Sequence, residues 1–204
     1  MNIVFVKGGT RYTASDVNRL ARSLQPFFEK ARFVCYTDDP TGVEVETIPF
    51  FKKPTLKKWW NKLALLSDDF PVEGECTFFD LDVVVHSDPR AYIIGYDKLH
   101  LVSAYWKRDK QEYYIRHRYD TVVNSTVMSW TAGTTDHIWT HFLDGRDYWM
   151  RKYKGIDGFI YNEGFDIGHH RDGIMSSKAN PLTMKAAIES WNNLEWNSTK
   201  NSLK

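Results

Sequence analysis

Cys76-Thr-Phe-Phe-Asp-Leu-Asp-Val-Val-Val85 sets two aspartates between two apolar runs, and the fold follows from where such a segment can stand. Cys76–Phe79 lacks any polar alternation, the pattern of a strand covered on both faces. Asp80 and Asp82 follow directly at its end. In extended chain, residues two apart point the same way, so the two carboxylates are expected to share one target. Carboxylates this close to a buried strand are costly unless something positive compensates them. A hard divalent cation, manganese or magnesium, suits two convergent carboxylates and would in turn neutralise phosphate oxygens. The plainer alternative is a pair of exposed carboxylates at a strand end, and the apolar Val83–Val85 that follows argues against it.

Upstream, strand and helix patterns alternate. Residues 2–6 form a β-branched and aromatic run that stops at Lys7-Gly8-Gly9. Thr13-Ala-Ser-Asp16 has the form of a capping box, and Val17, Leu20, Ala21 and Leu24 follow at helical spacing to about residues 23–25. Arg32–Tyr36 reads as a second strand ending at Thr37-Asp38-Asp39-Pro40, and Val43–Ile48 as a third. From Leu56, apolar residues at Trp59, Trp60, Leu63 and Leu66 mark an amphipathic helix, with Lys57, Lys58 and Asn61 on its charged face and Lys62 at the border. The alternation predicts an α/β fold with a parallel sheet covered on both faces. Lys7-Gly8-Gly9, Thr37-Asp38-Asp39 and Asp80-Leu81-Asp82 would then converge on the one edge where open parallel sheets bind ligands.

The second half is less regular. Leu99–Tyr105 and Thr121–Trp130 read as strands, Thr135–Leu143 and Met184–Trp191 as helices, and the charged, Tyr-rich 106–120 as a mobile loop. Residues 1–196 are expected to form one domain and 197–204 a polar tail. At 204 residues and 42% hydrophobic composition the chain can bury a full core. A net charge of +1 excludes a broad pull toward nucleic acid or anionic membrane. Cys35 and Cys76 lie in apolar runs and read as core thiols of a reducing compartment, and no apolar run is long enough to span a bilayer. A cytoplasmic location is expected.

Thr37-Asp-Asp39, Trp59-Trp-Asn-Lys-Leu63, Phe79-Asp-Leu-Asp82 and Asn124-Ser-Thr-Val-Met128, in this order and spacing, resemble the nucleotide-diphosphosugar transferases. The likeness is strongest to the glycogenin-like retaining glycosyltransferases. It implies a single GT-A (Rossmann-like) domain, with a mixed, mostly parallel central sheet flanked by helices. It also implies transfer of a hexose-type sugar from a nucleotide sugar, UDP-linked, with retention of configuration. Asp80 and Asp82 look like the family's metal and diphosphate site. Lys7, Tyr12, Thr37 and Asp38 look like the pocket for base and ribose, and Lys62 like the basic residue that reaches the diphosphate or donor sugar. Asn124, in a segment similar to Phe-Asn-Ser-Gly, would contact the donor sugar. Asp157 stands where the family has Asp-Gln, although Gly158 follows here. His170-Arg-Asp-Gly173 resembles the start of a late His-x-x-Gly-x-x-Lys motif, in which Lys178 falls two positions late.

His169 and His170 cannot share a face in extended chain, so one should turn inward. The spacing to Gly173 favours His170 as a third metal ligand, which would tilt the site toward manganese. Trp59 and Trp60 read as core packing ahead of sugar platforms, and the lysines at 52, 53, 57 and 58 as a solvated face. A saccharide, a lipid-linked saccharide or a protein is favoured as acceptor, with nucleic acid the remaining alternative. Three rival readings stand beside the transferase: a haloacid-dehalogenase-like phosphatase using Asp80-Leu-Asp-Val-Val84, a sugar nucleotidyltransferase using Gly8-Gly-Thr-Arg11, and a non-catalytic sugar or nucleic-acid binding module.

Overall fold

The computed structural model describes residues 1–54, 56–104, 121–176 and 188–190. Strands β1 (Asn2–Lys7), β2 (Arg32–Thr37), β3 (Glu46–Pro49) and β4 (Glu75–Phe79) lie parallel in the order β3-β2-β1-β4. Beyond β4 the sheet continues with β7 (Val123–Thr131), β6 (His100–Ser103) and β8 (Gly168–His169). Here β7 is antiparallel to both β4 and β6, and β8 runs parallel to β6. The result is the expected α/β architecture with a mixed central sheet. Chain order reverses between β1 and β4, and that switch point is where an open sheet of this kind leaves a crevice beyond its carboxyl ends.

Alternation along the strands explains why both faces are covered. Ile3 and Phe5 face one core cluster while Val4 faces the other, and Phe79 and Phe78 divide in the same way. One face packs against helix α1 (Ala14–Leu24) through Val17, Leu20 and Leu24. The N–H and hydroxyl of Thr13 both donate to Asp16 Oδ2, at 2.8 and 2.9 Å, which fixes the start of this helix. The opposite face is covered by the 3-10 helix Lys58–Leu66, by α2 (Asp136–Asp144) and by α4 (Ile156–Asn162). A further short helix, α3 (Arg146–Lys152), lies between α2 and α4 in the chain.

Four expectations need correction. The helix near residue 60 has 3-10 geometry, and its charged face ends at Lys57 and Lys58, which are exposed as expected, because every residue from Trp60 to Leu66 is buried. Trp60, Leu63 and Leu66 recur at a spacing of three, which 3-10 winding places in one row against the sheet. Lys62 and Asn61 are thereby inside the molecule. The third strand begins at Glu46 rather than Val43, since the Asn18 side chain already engages Gly42 O and the Glu44 N–H, both at 2.9 Å. Within Met184–Trp191, expected as a helix, Ile188–Ser190 is strand β10. It lies between β5 (Val83–Val85) and β9 (Ile174–Ser176) in a second, three-stranded sheet. Pairing with distant partners overrides local helical periodicity there. Lastly, Asp80-Leu81-Asp82 is a turn between β4 and β5, closed by Val83 N–H to Asp80 O at 3.2 Å, and not extended chain. The expected loop at 106–120 and the tail at 197–204 lie outside the described residues.

Phe159 on α4 has no exposed surface and packs against Trp60, Phe142, Trp149 and Phe165. Phe159→Ala is expected to cost about 3–5 kcal/mol, read as a lower denaturation midpoint at unchanged slope. A loss below about 1 kcal/mol would show that this face is not packed as described.

Candidate active site

The turn after β4 gathers several charged groups. Asp80 Oδ2 accepts from Lys62 Nζ at 2.7 Å and from Thr126 Oγ1 at 3.2 Å, and the Asp80 N–H donates to Thr126 O at 2.9 Å. Lys62 reaches it from the 3-10 helix, with its ammonium 5.1 Å from the Phe78 ring centroid. The Lys62 side chain is 11% exposed and that of Asp80 26%, so water screens this pair only partly. Even so, burial holds the Asp80 carboxyl above its ordinary value, against the lowering effect of Lys62.

Asp82 is less well compensated. Tyr12, beyond the end of β1, donates its hydroxyl to Asp82 Oδ2 at 3.2 Å. Oδ1 of the same carboxylate is buried with no hydrogen-bond partner among the described residues. Burial, reinforced by the neighbouring negative charge of Asp80, pushes the Asp82 carboxyl up to about 7. Burial and both aspartates also raise the Tyr12 phenol, which therefore donates as a neutral group. The two carboxylates do approach one another, through the turn and not through strand alternation.

Asn124 and Asp157 join this centre. Asn124 Oδ1 caps the Thr126 N–H at 2.9 Å, and Asp157, in the first turn of α4, accepts from the Ser125 N–H at 3.1 Å. The Asp157 charge adds to the raising of Asp80. β7 thus delivers a short polar segment from Asn124 to Thr126 alongside the β4 turn, where Asp80, Asp157 and Lys62 meet it.

The residues expected around a base and ribose form a neighbouring cluster at the ends of β1 and β2. Lys7 Nζ donates to Asp39 O at 2.8 Å, the Thr37 hydroxyl to the same carbonyl at 3.0 Å, and Asp38 Oδ2 accepts from Gly9 N–H at 2.8 Å. At Gly8 a Cβ would come within 2.9 Å of the Phe50 ring, so that ring would have to shift to admit any other residue. Tyr12 belongs to the aspartate turn by its hydrogen bond. Lys178 lies outside the described residues.

His170 is buried and His169 exposed, the opposed orientation expected of adjacent residues in a strand. The His170 ring stacks on His100, with centroids 6.2 Å apart, and its Nδ1 lies 3.2 Å from Ile94 O. Burial, with His100 next in effect, depresses its pKa to about 3, so it is a neutral imidazole. Among the described residues no three histidine, cysteine or carboxylate side chains converge as a ligand set, so the structure does not gather His170 with Asp80 and Asp82 into one cluster. The two aspartates alone still fit a hard cation. Their oxygens are hard donors, one of them is buried without a partner, and magnesium-type sites often take one or two carboxylates and complete their shell with phosphate oxygens and water.

Thr126 lies within the Asn124–Met128 motif but the resemblance assigns it no role, and Arg19 had no signal in the sequence: their contacts to the turn span 46 residues in one case and 62 and 64 in the other.

No protein-family model matches the chain, and no curated protein sequence does. Solved structures match it over nearly all its length. One is the galactosyltransferase LgtC in complex with donor and acceptor sugar analogs (13% identity, 99% of this chain and 96% of that one, TM-score 0.61). Another is a glycosyltransferase involved in glycosylation of the major capsid of PBCV-1 (13% identity, 99% and 100%, TM-score 0.58). A third is the glycosyltransferase GlyE of Streptococcus pneumoniae TIGR4 (12% identity, TM-score 0.63), which this chain covers over 60% of its length. The chain therefore has the GT-A glycosyltransferase fold.

The raised Asp82 carboxyl has a consequence for stability. Unfolded, the group titrates near 3.8; folded, it keeps its proton up to about 7. The folded state holds the extra proton between those values, so this group's contribution to stability declines as pH rises through the window. In metal-free buffer, Asp82→Asn should melt with the wild type at pH 4 and above it at pH 8, by at least about 3 °C. Melting curves that coincide at both pH values would show that the carboxylate is not held under strain.

Proposed function

We propose that this chain is a glycosyltransferase that moves a hexose-type sugar from a UDP-sugar to an acceptor hydroxyl, with a divalent cation held by Asp80 and Asp82. The observation that carries the proposal is the aspartate pair at the switch point of a GT-A sheet, Asp80 half-buried beside Lys62 and Asp82 buried with one oxygen unpartnered among the described residues. The solved complex of LgtC with donor and acceptor sugar analogs, a protein of the same fold, supports the donor class. In transfer, the bond from the anomeric carbon to the diphosphate oxygen breaks and the acceptor oxygen bonds that carbon. The proton of the acceptor hydroxyl leaves with the nucleotide diphosphate. A bound divalent cation would supply neutralising charge to the departing diphosphate.

The chain's own residues do the rest. Lys62 brings an ammonium from a rigid, buried helix and can turn from Asp80 to a diphosphate oxygen, giving positive charge where negative charge develops. Tyr12 and Thr126 orient the two carboxylates. Asn124 and Asp157 would hold donor-sugar hydroxyls in this reading, and Lys7, Thr37 and Asp38 would contact base and ribose. Lys178 enters as a further donor contact on the strength of the motif resemblance, as does retention of configuration, while the cation is left to the two aspartates without His170. Residues 1–196 form the working domain in this reading. The two buried, free cysteines support the reducing, cytoplasmic setting. No helix among the described residues is long and apolar enough to cross a membrane. A saccharide, lipid-linked saccharide or protein is favoured as the acceptor, with nucleic acid the remaining alternative.

Nucleotide release from a panel of UDP-sugars tests this reading. With manganese, at least one donor should turn over, a chelator should abolish the reaction, and Lys62→Met should lower kcat by about a hundredfold or more. Undiminished turnover in chelator would remove the metal, and no release from any nucleotide sugar would remove the transferase.

A further inference from the structure

The turn that carries both aspartates is held from beneath by a residue that no motif covers. Arg19, on α1, donates from one guanidinium nitrogen to Leu81 O at 2.9 Å and from the other to Val83 O at 3.3 Å. Those two carbonyls belong to the residues immediately before and after Asp82. A planar guanidinium fork is suited to spanning two acceptors at fixed separation, where a lysine ammonium offers only a point charge. The side chain is half-buried, and burial lowers its pKa while Asp16 and Asp82 raise it. Arg19 therefore sits as a positive charge between two buried carboxylates. Asp16, which also takes the Thr13 capping contacts, raises its pKa more than Asp82 does.

The Asp82 carboxylate is secured through only one of its oxygens, by Tyr12, and Oδ1 has no partner among the described residues. Side-chain bonds therefore determine its direction weakly, and the backbone on either side must fix it. α1 is rigid enough to do so, because its cap is closed and Val17, Leu20 and Leu24 are fully buried against the sheet. We propose that Arg19 is a positioning residue for the metal and donor site, clamping the carbonyls that flank Asp82 so that its carboxylate is held ready for a cation. The inference rests on the reading of Asp80 and Asp82 as cation ligands. It assigns a function to α1, a helix outside every motif of the family resemblance.

Two measurements on the full chain test it together. Manganese binding, followed by the loss of the free-ion EPR signal, is compared for wild type, Arg19→Met and Arg19→Lys. Hydrogen exchange of residues 80–83 is followed in metal-free buffer. Arg19→Met should weaken manganese by about tenfold, the scale on which outer-shell supports act. Arg19→Lys, which keeps the charge and one donor, should recover part of that loss. Both should speed exchange in the turn ahead of α1 and β1. If Arg19→Met does not fold, Arg19→Lys against wild type makes the same comparison. Manganese affinity unchanged in the variants, or weakened only in proportion to general unfolding, would overturn the proposal. If the wild type itself binds no manganese, the cation reading fails. The exchange data then judge the clamp separately: faster exchange confined to 80–83 sustains it, and unchanged exchange overturns it.

Discussion

Two carboxylates brought together at the buried end of a central strand are the constraint on which the rest of this structure depends. Isolated ionised carboxylates are not stable in such a place; they must be paired, protonated or bound to a cation. The chain uses the first two remedies at once. Asp80 is paired with Lys62 and hydrogen-bonded by Thr126, while Asp82 retains its proton to about 7 and leans on Tyr12. Neither remedy is complete, since burial still dominates both groups. Incomplete compensation is what would favour the proposed dication, because a cation that binds only the folded state would relieve strain already present.

Much of the surrounding architecture can be understood as support for that pair. The 3-10 helix buries Lys62 and brings its ammonium to Asp80, while Tyr12 reaches Asp82 from the loop after β1. β7 pairs antiparallel with β4, and so sets Thr126 beside Asp80, with Asn124 two residues further along the strand. α4 lies against β7 and presents Asp157 at its first turn, where the helix N-terminus favours a carboxylate. Among the described residues, rigid elements and not long loops thus carry most of the polar groups at the turn, which is what a site relying on preorganised charge needs.

The edge of the sheet was legible in the sequence because apolar runs ended three times in Gly, Thr, Lys or Asp, and strand ends of a parallel sheet must converge. The double coverage of the sheet was legible because Cys76–Phe79 and Val4–Val6 have no polar side. What could not be read was anything decided by pairing across a long gap. Ile188–Ser190 has no strand character until β5 and β9 are in place to bond it. The winding near Trp60 suits a spacing of three as well as one of 3.6, and only the packed sheet selects between them. Tyr12 on Asp82 and Arg19 on Leu81 and Val83 are contacts 70 and 62–64 residues apart, with no periodicity to announce them. The proposed diphosphate contact of Lys62 rests on family resemblance alone; the geometry adds that Lys62 pairs with Asp80.

When a donor binds, a dication and a nucleotide diphosphate should replace the internal compensation of the aspartates. A crystal structure with manganese and UDP, with data collected at the manganese absorption edge, tests this most directly. The predicted result is an anomalous peak bridging Asp80, Asp82 and the diphosphate, with the Lys62 ammonium moved off Asp80 toward a phosphate oxygen. An anomalous peak elsewhere, or UDP bound with the Lys62–Asp80 pair intact and no metal between the aspartates, would contradict it.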